Sequence, residues 1–180
     1  VVNVSINIPP PPTTSKTTQS FCEIHGATVA ELNAGGDGIL WYDTDISTTS
    51  LDTTELLIDG EDYWASQKNT TTGCESAVRT VVTITLDDPG IPNITSLGNE
   101  FCELENPTVG DLNANVSSNE GGIINWYDDY PNGNLLSLSE ELFEGATYYA
   151  IEDNNGCISI NPLAVTVTLT NCDTNIHKVK

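Results

Sequence analysis

Two stretches of this 180-residue chain match each other, and this internal repeat constrains the fold more than any other feature of the sequence. The letters FCE at 21–23 return at 101–103, and TVAELNA at 28–34 returns as TVGDLNA at 108–114. Three later segments also recur: GILWYD at 38–43 as GIINWYD at 122–128, GEDYWA at 60–65 as GATYYA at 145–150, and GCES at 73–76 as GCIS at 156–159. A period of about 80 residues is too long for a solenoid turn and is typical of a domain with its own core.

Each copy consists of short predicted strands separated by turn residues. The alternating, β-branched segments 78–86 and 163–169 predict a closing strand in each copy. Asn154-Asn155-Gly156, which precedes the second of them, has the composition of a hairpin turn. A tryptophan on a middle strand, with cysteines near both ends of the unit, is typical of an immunoglobulin-like sandwich. We therefore predict an all-β chain of tandem immunoglobulin-like β-sandwich domains, each with one intradomain disulfide.

Composition around the copies predicts the domain boundaries. Residues 9–18 are rich in proline and threonine, and 89–98 hold prolines and glycines, so both are predicted to be linkers. Val1–Ile8 resembles a closing strand, which would dock on the first domain or complete a neighbouring chain. The predicted organisation is the last strand of a preceding domain at 1–8, a linker at 9–18, a first domain at 19–88, a linker at 89–98, a second domain at 99–172 and a C-terminal linker at 173–180.

The five cysteines include no CxxC pair and no cysteine–histidine cluster spaced for zinc. Four fall at matching places in the two copies, so we expect Cys22 to bond to Cys74 and Cys102 to Cys157, in an oxidising compartment. Each bond would stabilise its domain by about 4 kcal/mol. Pairing between the copies and buried reduced thiols are the alternatives. Cys172 has no counterpart in the first copy and is predicted to be unpaired here, or to bond beyond this chain.

The aromatic residues of the repeat are predicted to be mainly structural. Trp41 and Trp126 are expected in the cores, and Tyr63 and Tyr148 occupy the tyrosine-corner position. By strand alternation, their neighbours point to the opposite face. These neighbours are the candidates for an exposed platform that stacks on sugar: Tyr42, Tyr127, Trp64 and Tyr149.

The charge of the chain excludes several classes of partner. Five basic residues stand against 26 acidic ones, which gives a formal net charge of −21. Without a basic run, neither nucleic acid nor an anionic lipid surface is an expected partner. No apolar stretch of the sequence is long enough to insert into a membrane as a helix.

Residues with catalytic or metal-binding chemistry are sparse. His25 and His177 lie in no nucleophile or metal pattern, so we predict no enzyme and no cofactor. The acidic loops after each tryptophan strand are weak calcium candidates because calcium takes oxygen ligands, with solvated hairpin carboxylates as the alternative. Their side chains are those of Asp43 and Asp45 in the first copy and of Asp128, Asp129, Asn132 and Asn134 in the second.

The repeated motifs Phe-Cys, Thr-Val-x-x-Leu-Asn-Ala, Trp-Tyr-Asp, Gly-x-x-Tyr and Gly-Cys-x-Ser resemble the Ig-like repeats of large Bacteroidetes surface proteins, including gliding-motility adhesins. The resemblance implies type IX secretion and display outside a Gram-negative cell, with the C-terminal sorting domain missing from this fragment. It also implies a stalk, spacer or filament module for adhesion, whose partners are other domains of the same polypeptide or copies of itself. The rival hypothesis is a carbohydrate-binding module of an exported hydrolase, with a surface glycan as its ligand.

Overall fold

The computed structural model describes residues 8–172, which form two compact units divided between Asp87 and Asp88. Strands dominate both units and helices are few, so the prediction of an all-β chain is confirmed. The predicted strand Val1–Ile8, apart from its last residue, and the tail at 173–180 lie outside the described residues.

Unit 1 is built on a four-stranded sheet. Its strands are β1 (Thr18–Cys22), β2 (Ile39–Tyr42), β3 (Asp62–Gln67) and β4 (Thr80–Asp87), in the spatial order β1-β4-β3-β2. Strands β2, β3 and β4 pair antiparallel, whereas β1 pairs parallel to β4 from Thr18 opposite Thr83 to Cys22 opposite Asp87. The first and last strands of the unit are therefore neighbours that run in the same direction.

A second, less regular layer covers one face of this sheet. It contains the 3₁₀ turn Val29–Glu31 and the crossover that ends near Leu57, joined by backbone bonds from Leu57 N–H to Ala27 O (2.8 Å) and from Val29 N–H to Glu55 O (2.9 Å). The Glu31 carboxylate caps the turn by accepting the Thr28 N–H at 2.7 Å. The two layers enclose one core, formed by Ala27, Val29, Leu32, Trp41, Leu57, Tyr63, Ala65, Val82 and Ile84.

Unit 2 repeats this arrangement. Its elements are β5 (Asn93–Ile94), β6 (Glu100–Cys102), a 3₁₀ turn (Glu103–Glu105), α1 (Val109–Asn113), β7 (Val116–Ser117), β8 (Ile123–Tyr127), β9 (Thr147–Asn154), β10 (Cys157–Ile158), β11 (Leu163–Thr166) and β12 (Thr168–Thr170). Strand β9 pairs antiparallel with β8, β10 and β11, and β12 pairs parallel to β6. Only Val167 separates β11 from β12, so together they correspond to β4. The predicted hairpin is present, with Asn155 and Gly156 at positive φ between β9 and β10.

Both segments predicted to be linkers are parts of the units. Thr13, in the predicted linker 9–18, exchanges two backbone hydrogen bonds with Gly35 at 2.9 and 2.7 Å. In the predicted linker 89–98, β5 pairs with β7. Pro12 and Pro92, each nine residues before the repeated phenylalanine, are both buried. These predictions were wrong because proline can lie along the edge of a fold, where its missing N–H costs no ladder bond.

Candidate functional site

The disulfide of unit 2 joins Cys102 to Cys172, with the two Cα atoms 5.6 Å apart. The parallel pairing of β6 with β12 places Cys102 opposite Thr170, so Cys172 follows within reach of a bond. The predicted Cys102–Cys157 bond is therefore wrong, as is the prediction that Cys172 is unpaired. Cys157 is not a free thiol. It comes before the β11–β12 segment, whereas Cys102 lies opposite the end of that segment. The eight residues of the segment span about 23 Å.

In unit 1 the same geometry excludes the predicted Cys22–Cys74 bond. Cys22 lies opposite Asp87 at the end of β4, whereas Cys74 precedes Thr80 at its start. Strand β4 is itself about 23 Å long, whereas a disulfide needs Cα atoms within about 7 Å, so the start and the end of β4 are too far apart for such a bond. Cys74 is a free cysteine, whereas Cys22 is not a free thiol. In the first copy of the repeat, the position that corresponds to Cys172 is Pro89, so that copy has no cysteine there.

The four predicted core aromatics are buried. Trp126 Nε1 donates to Asn113 Oδ1 at 2.9 Å. The hydroxyl of Tyr63 accepts the Ile58 N–H at 3.1 Å, and that of Tyr148 accepts the N–H five residues upstream at the same distance. Such a bond ties the turn before β3 or β9 to the strand itself, as in a tyrosine corner. Trp41, the fourth of these aromatic residues, belongs to the core of unit 1.

Tyr42 is buried, with 3% of its surface exposed, beneath the only arginine of the sequence. The Cζ atom of Arg79 lies 3.4 Å from the centroid of the Tyr42 ring, a cation–π contact. The guanidinium also donates to the carbonyl oxygens of Thr44 and Ser47, both at 2.7 Å. Tyr42 is therefore not the exposed aromatic residue that strand alternation predicted, because Arg79 covers it.

A carboxylate completes this arrangement. Glu75 Oε1 accepts the hydroxyls of Tyr42 at 2.7 Å and of Ser66 at 2.5 Å, and lies 3.9 Å from a nitrogen of Arg79. Burial alone would raise the pKa of Glu75, but the two hydroxyls and the arginine outweigh it and hold that pKa below its usual value. Burial and the bond to Glu75 raise the pKa of Tyr42. We call Tyr42, Ser66, Glu75 and Arg79 the arginine cluster.

Unit 2 has an open cleft of about 140 Å³ whose walls are mostly aromatic and aliphatic. Tyr130 is 37% exposed, and its ring stacks on that of Tyr149 with centroids 6.4 Å apart and planes at 29°. Its hydroxyl donates to Ile160 O at 2.8 Å, which fixes the ring in place. The residues that line the cleft are Tyr127, Asp129, Tyr130, Pro131, Ile151, Ile158 and Ser159. We call this the tyrosine cleft.

The predicted calcium candidates are engaged locally or exposed. Asp128 accepts the Asn134 N–H at 2.6 Å and its side-chain amide at 3.0 Å, and these bonds lower the pKa of Asp128. Asp129 accepts the N–H of the next residue at 2.7 Å, whereas Asp43 and Asp45 are exposed. Within residues 8–172, no three His, Cys, Asp or Glu side chains come together in a way that could hold a metal. Calcium binding stays a prediction.

Sequence reasoning missed the anchoring role of Glu152, which is 0% exposed. Its carboxylate accepts the backbone N–H groups of Asn119 at 2.5 Å, Glu120 at 2.9 Å and Gly122 at 3.0 Å. Burial raises the pKa of Glu152, but these three bonds outweigh it and lower that pKa overall. The one sequence signal near Glu152 was the repeated Gly-Cys-x-Ser motif. Its serine contacts this residue, because Ser159 Oγ accepts the Glu152 N–H at 3.0 Å.

These features define the class of the molecule as an all-β protein of two similar units, one of which carries its own disulfide. No known protein family matches the sequence, and no curated protein matches it. Among solved structures, the N-terminal four Ig domains of Dscam1 isoform 6.44 are similar at 13% identity over 88% of this chain, with a TM-score of 0.25. The chain spans 46% of that structure. No helix within the described residues is long and apolar enough to cross a membrane.

Proposed function

We propose that this chain is a non-catalytic structural and adhesive segment of a secreted bacterial surface protein, with immunoglobulin-like units that bear tension along a stalk or filament. The observation that carries this proposal is the parallel pairing of the first and last main strands of each unit, β1 with β4 and β6 with β12. The disulfide also supports an oxidising compartment.

Parallel pairing matters because of the direction in which tension acts. A pull on the start of β1 and the end of β4 moves two parallel neighbours past each other, so all five paired positions from Thr18 to Cys22 are loaded together. If two antiparallel neighbours were pulled apart at the same end of the pair, their backbone hydrogen bonds would instead break one after another. This geometry suits a module that transmits force from end to end.

Unit 2 adds a covalent link at the corresponding place. The Cys102–Cys172 bond joins the end of β6 to the residues just beyond β12. Tension that enters at β6 and leaves after β12 therefore passes through the disulfide and bypasses the 69 residues between the two cysteines. While the disulfide is intact, this tension does not extend the residues of the closed loop.

Force spectroscopy on the 180-residue chain in reductant tests the mechanical part of the proposal. In unit 1, handles at Thr18 and Asp87 shear β1 against β4, whereas handles at Thr18 and Thr80 pull both strands from the same end. We expect a clearly higher unfolding force in the shear geometry. Equal forces in the two geometries would contradict a tension-bearing role. Because the same protein serves both geometries, a difference in overall stability cannot produce the result.

A surface glycan remains the alternative ligand. Trp64 and Tyr149, the platform candidates on β3 and β9, are both half-buried. A glycan array on the whole chain tests this alternative. Saturable binding that is lost in Trp64→Ala or Tyr149→Ala would favour a carbohydrate-binding module over a stalk.

A further inference from the structure

At one corresponding place on the sheet, unit 1 has a positively charged side chain and unit 2 has none. Tyr42 lies opposite Trp64 across β2 and β3, and Tyr127 lies opposite Tyr149 across β8 and β9. The repeat therefore places the tyrosine cleft of unit 2 where unit 1 has its arginine cluster. Tyr127 corresponds to Tyr42, Asp129 to Thr44, Ile151 to Ser66 and Ile158 to Glu75.

In unit 1 this place is filled by a guanidinium group. Arg79 precedes Thr80, which pairs with Ala65, and in unit 2 the partner of Ala150 is Leu163. The residue that corresponds to Arg79 is thus Pro162, which carries neither charge nor side-chain donor. The ring that Arg79 covers in unit 1 is matched in unit 2 by the half-buried ring of Tyr127, on the wall of an open cleft.

The tyrosine cleft retains the chemistry that attracts a cation. Its aromatic walls provide the negative ring faces that bind guanidinium and ammonium groups. Of the described residues that line it, one is a carboxylate, Asp129, and none is basic. The chain as a whole carries a formal charge of −21, so a basic partner is also attracted at a distance.

We propose that the tyrosine cleft is an interaction site for an arginine side chain of a partner protein, which would occupy unit 2 as Arg79 occupies unit 1. The guanidinium would lie over the ring of Tyr127, beside Tyr130, with Asp129 as the charge partner. This site rests on the proposed adhesive function and specifies it, because it identifies what unit 2 contacts. It lies outside the β6–β12 pair, so a negative binding result leaves the mechanical test unaffected.

Methylguanidinium chloride and N-acetylarginine amide are the probes for this site, and the tyrosine ring resonances of the 180-residue chain are the readout by NMR. At constant ionic strength, we expect saturable shifts of the Tyr127 and Tyr130 rings with both probes. Methylurea is the matched neutral control, since it has nearly the same shape without the charge, and it should shift neither ring. Saturation by methylurea at the same concentration would overturn the proposal.

Variants distinguish binding of the probe in the cleft from its nonspecific attraction to an acidic protein. Tyr130→Ala and Asp129→Asn should each weaken binding about two- to fivefold, since both side chains are partly exposed. Ile158→Glu restores the carboxylate that Glu75 supplies in unit 1 and should tighten binding about fivefold. Unchanged affinity in all three variants would overturn the proposal, as would saturation by methyl glucoside without any response to methylguanidinium.

The arginine cluster provides a positive control within the same chain. Arg79→Ala removes the resident guanidinium from the Tyr42 ring, so methylguanidinium should then also shift the Tyr42 resonance. In the wild-type chain that ring should not respond, because Arg79 covers it. A Tyr42 response of equal size before and after the substitution would show that the probe does not report on this kind of site, and would remove the support for the cleft.

Discussion

Removal of the Cys102–Cys172 bond should destabilise unit 2 strongly and unit 1 little. The two cysteines are 70 residues apart in sequence. For a closed loop of that length, the lost restriction of the unfolded chain is worth about 4 kcal/mol. A domain of this size loses about 4–8 °C of melting temperature per kcal/mol, so the expected decrease is roughly 15–30 °C. Because small domains are stable by only about 5–15 kcal/mol, the loss removes a large part of the free energy of unfolding of unit 2.

The measurement uses Cys102→Ser with Cys172→Ser in a Cys74→Ser background, which removes the free thiol that could exchange with other bonds. Peptide-resolved hydrogen exchange in increasing urea reports the free energy of unfolding of each unit separately. Cys74→Ser alone is the matched control and should change neither unit. The free energy of unfolding of unit 2 is compared between this variant and Cys74→Ser alone. If the two values differ by less than about 1 kcal/mol, the loop-closure argument is refuted. A nonreducing peptide map that links Cys102 to Cys157 would refute the pairing itself.

Two other side chains have effects that can be measured on the same unit. Glu152→Gln should cost about 2 kcal/mol near neutral pH, because the carboxylate accepts three backbone N–H groups. Since the folded pKa of Glu152 is lowered, its stabilisation is present above the unfolded pKa and is lost as the pH falls through the folded pKa. In urea unfolding from pH 7 to pH 3, the difference in the free energy of unfolding between variant and wild type should therefore shrink. A difference that stays constant would contradict this. Tyr148→Phe should cost about 1 kcal/mol in urea unfolding, because the Phe143 N–H loses its acceptor, whereas Tyr149→Phe serves as the neighbouring control.

The strands and cores were predictable from local sequence, because their signals repeat. The alternation in 163–169 predicted β11 and β12, and the Asn-Gly pair predicted the turn between β9 and β10. The matched positions of Trp41 and Trp126 predicted that both would be buried, and both are. These features depend on periodicity and turn chemistry, which neighbouring residues determine.

The disulfide and the ends of the units were not predictable in the same way, because they depend on which strands become neighbours. The repeat matched Cys74 with Cys157 and thereby favoured equivalent bonds in both copies. The parallel register of β6 with β12 instead brings together Cys102 and Cys172, a residue that the repeat left unmatched. The prolines at 12 and 92 were interpreted as spacers because composition does not show which sheet edge a proline segment will follow.

The arginine cluster and the tyrosine cleft show how one fold can carry different surfaces. The bonds that form the scaffold recur: Ser76 Oγ accepts the Gln67 N–H at 3.2 Å, as Ser159 Oγ accepts the corresponding N–H in unit 2 at 3.0 Å. The positions of Glu75 and Arg79 do not recur, and their loss leaves the scaffold of unit 2 intact. The fold therefore does not require a guanidinium at this place, because unit 2 builds its core without one. In unit 1 the side chain of Arg79 covers the Tyr42 ring, whereas in unit 2 the equivalent Tyr127 ring lies half-buried on the wall of an open cleft.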